Sequence, residues 1–283
     1  MKKQQWVLII SAVAIALLLF IFGNTVPPKS NNTAPVAQQP AGNAPEKLEF
    51  TDILSKAKQR LTTAQNEKVV ALENSVIRGD VKEQKIKVYH QLAAYWKDSI
   101  HFFEPYAYYT AEASKLENSE KSLTFAAQLF VDNLLNEADP TMQNWLASSA
   151  KALLDRALQI NPNNDSSKIS LGACYMLGNI GGNPMEGILP VREIAQKNPD
   201  NLYAQMVLGL GGKKTGQYDK AIERFTIIVQ KQPKNLEAVF HLAECYDLKG
   251  DKANAVKWYT SARNMIDNKQ IQQDIDKRIN ELK

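Results

Sequence analysis

The chain has 283 residues, with 34 Lys and Arg against 30 Asp and Glu, a formal charge of +4 and 44% hydrophobic residues, the proportions of a folded chain. Basic and acidic side chains alternate along the periodic segments and form no one-sign stripe, so nucleic-acid binding has no support.

Lys2 and Lys3, in a short N-terminus of residues 1–5, precede a run of 17 residues without a charge, Trp6 to Phe22. As a helix this run spans about 25 Å, inside the range of membrane-spanning segments. The first charge after it is Lys29, so the positive-inside rule leaves the N-terminus in the cytoplasm and the rest of the chain outside. A cleaved signal peptide would have a shorter apolar region and a small-x-small site, and Gly23-Asn24-Thr25 makes a poor one. The expectation is an uncleaved transmembrane helix at 6–22 in a single-pass membrane protein, with a bacterial inner membrane and a periplasmic domain fitting the topology. Residues 23–45, with Pro27, Pro28, Pro35, Pro40 and Pro45 among Asn, Gln and Ala, read as a disordered spacer.

Residues 46–164 read as degenerate helical repeats. Phe50, Ile53, Leu54, Ala57 and Leu61 follow helical spacing, and Val69, Leu72 and Val76 continue it to a break at Arg78-Gly79-Asp80. That tripeptide is read as a turn. Ile86, Tyr89, Leu92, Ala93 and Trp96 mark the next helix, and Trp96 is expected in the core. Tyr106, Tyr108 and Tyr109 are compatible with a ligand surface or with a packed seam. The stretch Ser119 to Leu135 is apolar on more than one side, as an interior helix should be. After Pro140, the residues Trp145, Ala150, Leu154 and Ala157 form another helical face.

From 165 to 269 one pattern recurs, in copies 165–201, 202–235 and 236–269. Leu208-Gly209, Gly216, Ala221 and Phe225 match Leu242-Ala243, Gly250, Ala255 and Tyr259 at a constant offset of 34 residues. Such a period marks a helix-turn-helix array, in which each pair buries its apolar face on the next copy. The small residues at Gly209 and Ala221, the aromatic Phe225 and the terminating Pro233 resemble the tetratricopeptide repeat family. The copy opening at Leu171-Gly172-Ala173-Cys174-Tyr175 resembles it too, then departs. Gly181 to Pro184 lengthens its turn, Gly187 stands where Ala is wanted, and Pro190 is expected to kink or shorten its second helix. Residues 270–283, with Ile271, Ile275, Ile279 and Leu282 on one side, read as a capping helix.

The resemblance implies an all-α fold, a right-handed α-solenoid of stacked helix pairs with a C-terminal capping helix. Cys174 and Cys245 then lie two steps apart, at roughly 10 Å per step, beyond the reach of a disulfide. It also implies a concave groove lined by the first helix of each pair. Residues at 3, 4, 3 spacing on those helices are Ser166, Ile169, Ala173 and Met176, then Tyr203, Met206, Leu210 and Lys213, then Glu237, Phe240, Glu244 and Asp247. Of these, Ile169, Ala173, Met176, Tyr203, Met206, Leu210, Lys213, Phe240, Glu244 and Asp247 are the expected partner-binding set. Packing of these side chains on one another is the competing reading. The family's carboxylate-clamp subgroup is not matched, since Ile169 and Ala173 fall where its polar residues are expected.

No catalytic constellation is apparent. Gly209 to Thr215 fails the phosphate-loop pattern, since Lys214 occupies the place of Ser or Thr after Lys213. His90, His101 and His241 have no companion at metal-ligand spacing, and no metal or cofactor is expected. The function expected is a membrane-tethered, non-enzymatic scaffold that binds a peptide or protein. In arrangement it is similar to assembly factors of bacterial envelopes. A self-associating structural component of an envelope complex is the alternative.

Overall fold

The structure is a computed structural model and describes residues 48–78, 81–181 and 183–283. The chain divides into two units, 1–44 and 45–283, and every described residue falls in the second. The apolar run at 6–22, the proline-rich spacer and Gly79-Asp80 lie outside the described residues. Among the described residues no helix is long and apolar enough to cross a membrane.

The described residues form an all-α solenoid of stacked helix pairs, and no strand occurs among them. In order the helices are α1 (Phe50–Lys58), α2 (Thr63–Arg78), α3 (Lys82–Tyr95), α4 (Phe103–Glu117), α5 (Glu120–Leu134), α6 (Pro140–Ile160) and α7 (Asp165–Leu177). They continue with α8 (Pro184–Lys197), α9 (Leu202–Lys214), α10 (Tyr218–Lys231), α11 (Leu236–Lys249), α12 (Lys252–Arg263) and α13 (Lys269–Leu282). The pairs are α3 with α4, α5 with α6, α7 with α8, α9 with α10, and α11 with α12, and α13 packs on α12.

The boundaries have local causes. Asn164, Asn201 and Asn235 each accept a backbone N–H of the first turn, from Ser167, Ala204 and Ala238, and so start α7, α9 and α11. Asn161, Asn198 and Gln232 precede Pro162, Pro199 and Pro233 and sit at φ near −130° and ψ near 80°. The proline ring disfavours helical backbone in the residue before it, which ends α6, α8 and α10. Gly250, at φ 84°, closes α11 in the left-handed conformation that suits glycine.

Two expectations are corrected. Phe50 to Val76 is two helices, broken at Gln59–Thr62, where the Thr62 hydroxyl accepts the backbone N–H of Gln65 and starts a new helix without any proline or glycine. The helix holding Pro190 is not shortened. With 14 residues, α8 equals α10 in length and runs through Pro190 uninterrupted.

Small residues set the pair geometry. A Cβ at Gly172 would stand 2.3 Å from Val191 Cγ2 and 2.8 Å from the Gly187 carbonyl oxygen, so α7 and α8 touch through their backbones. The departure at Gly187 has the same origin, since a Cβ there would lie 2.6 Å from that of Tyr175. Fully buried Phe130, Leu146, Leu153, Leu154, Ile169, Phe225, Ile228 and Leu242 carry one core along the stack. Apolar burial of this kind contributes about 1.5–3 kcal/mol per large side chain.

The N-terminal pairs have their own cluster, with Trp96 fully buried in a π-helical turn, Trp96–Ile100, that ends at His101 with φ 61°. Here Tyr108 stacks on Phe50 at 3.4 Å, and Tyr109 is buried with its hydroxyl donating to Glu73 at 2.7 Å. These two tyrosines therefore fill a seam between helices. Burial, foremost, and the nearby Glu112 push the Tyr108 hydroxyl up to about 12.

Candidate functional site

The first helices of consecutive pairs pack directly on one another, α5 on α7, α7 on α9 and, more lightly, α9 on α11. That contact occupies the residues expected to line a groove. Ile169, Ala173, Met206 and Leu210 are buried, at 1%, 0%, 7% and 4% exposure, and offer no open surface for a partner. Met176 is half-buried with its sulfur against Gly211, where a Cβ would come within 2.8 Å of it. The groove reading is corrected to this extent: close spacing of the first helices turns its apolar centre into core.

The polar members have partners inside the chain. The Tyr203 hydroxyl lies 2.9 Å from Ser170 Oγ, and Ser170 donates to Gln128 at 3.0 Å, which links α9, α7 and α5. Burial raises the Tyr203 pKa, against the lowering effect of those hydrogen bonds. Lys213 Nζ donates to Glu244 Oε2 at 2.7 Å, and His241 Nδ1 stands 2.8 Å from the same oxygen. The same Nδ1 also lies 3.0 Å from Lys213 Nζ, and the buried Nε2 has no hydrogen-bond partner among the described residues. Burial alone would push the Glu244 carboxyl up, but the hydrogen bonds from His241 and Lys213 outweigh it and hold it below its ordinary value. Phe240 meets Tyr259 edge to face at 5.8 Å, and Asp247 accepts from both Arg278 and Tyr259. Ser166 and Glu237 are exposed.

Open space occurs instead at the irregular corner. A cleft of about 500 Å³ lies among the end of α7, the loop after it, the start of α8, the end of α9 and the start of α10. It forms where α8 packs on α9 less extensively than α6 does on α7 or α10 does on α11. Met176, Ile180, Ile188 and Leu208 give it apolar walls, and Gly211 and Gly212 are among its lining. The chain leaving α7 is held at Leu177 and Asn179. Asn179, at φ 51°, donates through Nδ2 to Gln143 at 3.0 Å, its carbonyl accepts from Asn144 at 2.8 Å, and Lys214 reaches the Leu177 carbonyl at 2.5 Å.

Arg192, Lys214, Lys220 and Arg224 line this cleft, and no Asp or Glu does so among the described residues. None of the four forms a carboxylate ion pair among the described residues. Their hydrogen-bond partners are neutral: Asn179 and Leu177 for Lys214, Gln217 for Lys220, Gln205 for Arg224. With no anion to offset it, burial lowers the Lys214 pKa. Elsewhere in the array Lys213, Lys231 and Lys249 each hold a carboxylate, of Glu244, Asp200 and Asp219. The sequence carried one signal of this corner, the departure at Gly181 to Pro190. The four cations are spread over three helices and no spacing rule joins them.

Among the described residues no group of three or more His, Cys, Asp or Glu is placed to hold a metal ion. Both cysteines are free and buried, and burial pushes each thiol up to about 12, far from an activated nucleophile.

A family model described as tetratricopeptide repeat matches residues 213–268, from the end of α9 through α12. No curated protein matches the sequence. Solved structures with a similar fold include a crystal structure of MamA, at 18% identity and a TM-score of 0.44, over 64% of this chain and 91% of that one. MamA from residue 41 to its end, from Desulfovibrio magneticus RS-1, is 20% identical with a TM-score of 0.43, over 66% of this chain and 96% of that one. YrrB, described as a TPR protein with an unusual peptide-binding site, is 15% identical with a TM-score of 0.43, over 73% of this chain and 98% of that one.

Proposed function

We propose that the chain is a non-enzymatic, membrane-tethered scaffold that holds a protein partner at the cleft between α7–α8 and α9–α10. The observation that carries this reading is the set of four cations around an apolar cleft, left without a carboxylate while other lysines of the array are paired. Unpaired cations beside low-dielectric walls focus a positive potential and favour an incoming anionic group. Helix ends make up much of the cleft wall, and Leu177 and Asn179 at its edge are held by Gln143, Asn144 and Lys214, which limits the ordering entropy that opposes binding.

Trp6 to Phe22 supplies the tether, with the solenoid on the extracytoplasmic side of a bacterial inner membrane; the uncharged run and the preceding Lys2 and Lys3 support this. Tethering raises the partner's effective concentration at the membrane surface, which suits an envelope assembly factor.

The test is a photo-crosslinking residue placed at Ile188 in the full-length chain, expressed in its native cell. Adducts with another protein are expected, and fractionation should find them with the membrane. Adducts only between copies of this chain would favour a self-associating structural component instead. The absence of any adduct, with the protein folded and abundant, would overturn the scaffold reading.

A further inference from the structure

We infer that the occupant of the cleft is an acidic peptide segment that inserts one bulky apolar side chain into the place of a tyrosine missing from the repeat. The inference rests on the scaffold reading above and names the partner's chemistry. Gly212 lines the cleft. Counting from Gly172, Gly209 and Ala243, the same step along the first helix is Tyr175 in α7, Gly212 in α9 and Tyr246 in α11.

In α7 the tyrosine lies against α8, its side chain within 3.1 Å of where a Cβ on Gly187 would be. In α11 Tyr246 is half-buried between the core and the C-terminal cluster. In α9 no ring exists. A Cβ at Gly212 would meet Ala221 Cβ at 3.4 Å, an ordinary contact, so the glycine is not forced by crowding at that point. The ring is absent, and the cleft opens over the bare turn of helix.

An apolar anchor explains half of the site, and charge explains the rest. Arg192 on α8, Lys214 at the end of α9, and Lys220 and Arg224 on α10 bring cations to the cleft from three helices. A chain lying in the cleft with acidic residues on either side of its anchor meets cations of more than one helix, where a small carboxylate carries a single charge to offer them. That arrangement selects a peptide with several negative charges.

The probe is a fluorescent peptide, acetyl-Asp-Glu-Phe-Glu-Asp-amide, titrated into full-length protein in detergent. Binding is expected, weakening at least tenfold when Phe is replaced by Gly, and further as salt screens the charges. Gly212→Tyr, which restores the residue type of α7 and α11, should reduce affinity at least tenfold while the circular dichroism melt is kept or improved. Arg192→Glu with Lys220→Glu, at two exposed positions, should do the same without any packing change.

A peptide with Lys in place of the acids that binds as well would overturn the proposal, as would unchanged binding in both variants. Binding of decanoate by calorimetry, with no binding of the peptide, would assign the cleft to a small amphiphile and also overturn it. Should the peptide fail while protein adducts at Ile188 persist, the acidic-anchor chemistry falls and the scaffold reading stands. Should both fail, both fall.

Discussion

Arg278 of the capping helix grips Asp247 of α11 with two hydrogen bonds, Nη2 to Oδ1 at 2.7 Å and Nε to Oδ2 at 2.8 Å. The Tyr259 hydroxyl adds a third donor to the same carboxylate. Asp247 keeps only 11% of its side chain in water, so a residue expected at the margin of a groove instead fastens α13 to the last pair. Replacing Arg278 by Ala leaves Asp247 partly buried with Tyr259 as its remaining partner. Amide hydrogen exchange in α13 should then quicken several-fold, with α7 to α10 unchanged, because stability in a stacked array is local to neighbouring units. Equal loss of protection throughout would contradict this fastening role.

Glu244 gives a pH-dependent link between α9 and α11. Its folded pKa is held below the ordinary 4.5 by hydrogen bonds from His241 and Lys213, despite burial. A depressed carboxyl pKa stabilises the fold above the unfolded value, and that contribution is lost as pH falls through the folded value. Glu244→Gln should therefore cost about 1 kcal/mol at pH 7, at the low end for charge-assisted bonds because 30% of the side chain stays in water. Urea unfolding of parent and variant should converge as pH drops below 4.5. A gap as large at pH 3 as at pH 7 would place the effect in packing.

The solenoid was legible because its determinants are short-range. The 34-residue offset, the prolines after α6, α8 and α10, and the small residues at Gly172, Gly209 and Ala221 all act within one or two neighbouring helices. The site was less so. Helical spacing correctly grouped Ile169, Ala173, Met206 and Leu210 on one side of their helices, yet spacing does not say how closely α7 and α9 approach, and that approach buries them. Gly212 drew attention for resembling a phosphate loop, whereas its consequence comes from the side chain that Tyr175 and Tyr246 possess and it lacks. The break at Gln59–Thr62 depends on a threonine cap, a signal common in ordinary helices as well.

Gly172 offers a packing test. A methyl group there would collide with Val191 Cγ2 at 2.3 Å, and would also press on the Gly187 carbonyl at 2.8 Å, which is backbone and cannot rotate away. Gly172→Ala should destabilise the protein by about 2–3 kcal/mol, the upper part of the range for overpacking in a tight core, despite the gain in helix propensity. Val191→Ala in the same chain should recover only part of the loss, since the carbonyl remains. Full recovery in chemical denaturation would show that α7 and α8 are held apart by the valine alone.

The two cysteines report on opening of the stack. Cys174 on α7 and Cys245 on α11 are fully buried, and burial, the largest cause in each, pushes their thiols up to about 12. Alkylation needs both thiolate and access, so iodoacetamide at pH 8 should modify native protein at least roughly a hundredfold more slowly than protein in urea. The two rates in native buffer need not match. Cys245 lies in the last pair, on which the terminal helix α13 packs, so end fraying reaches it before it reaches Cys174 in the interior. Cys245 should therefore be modified first, and Arg278→Ala should accelerate it while leaving Cys174 unchanged. Faster modification of Cys174 would instead locate the weakest point of the array at the α8–α9 junction, beside the cleft.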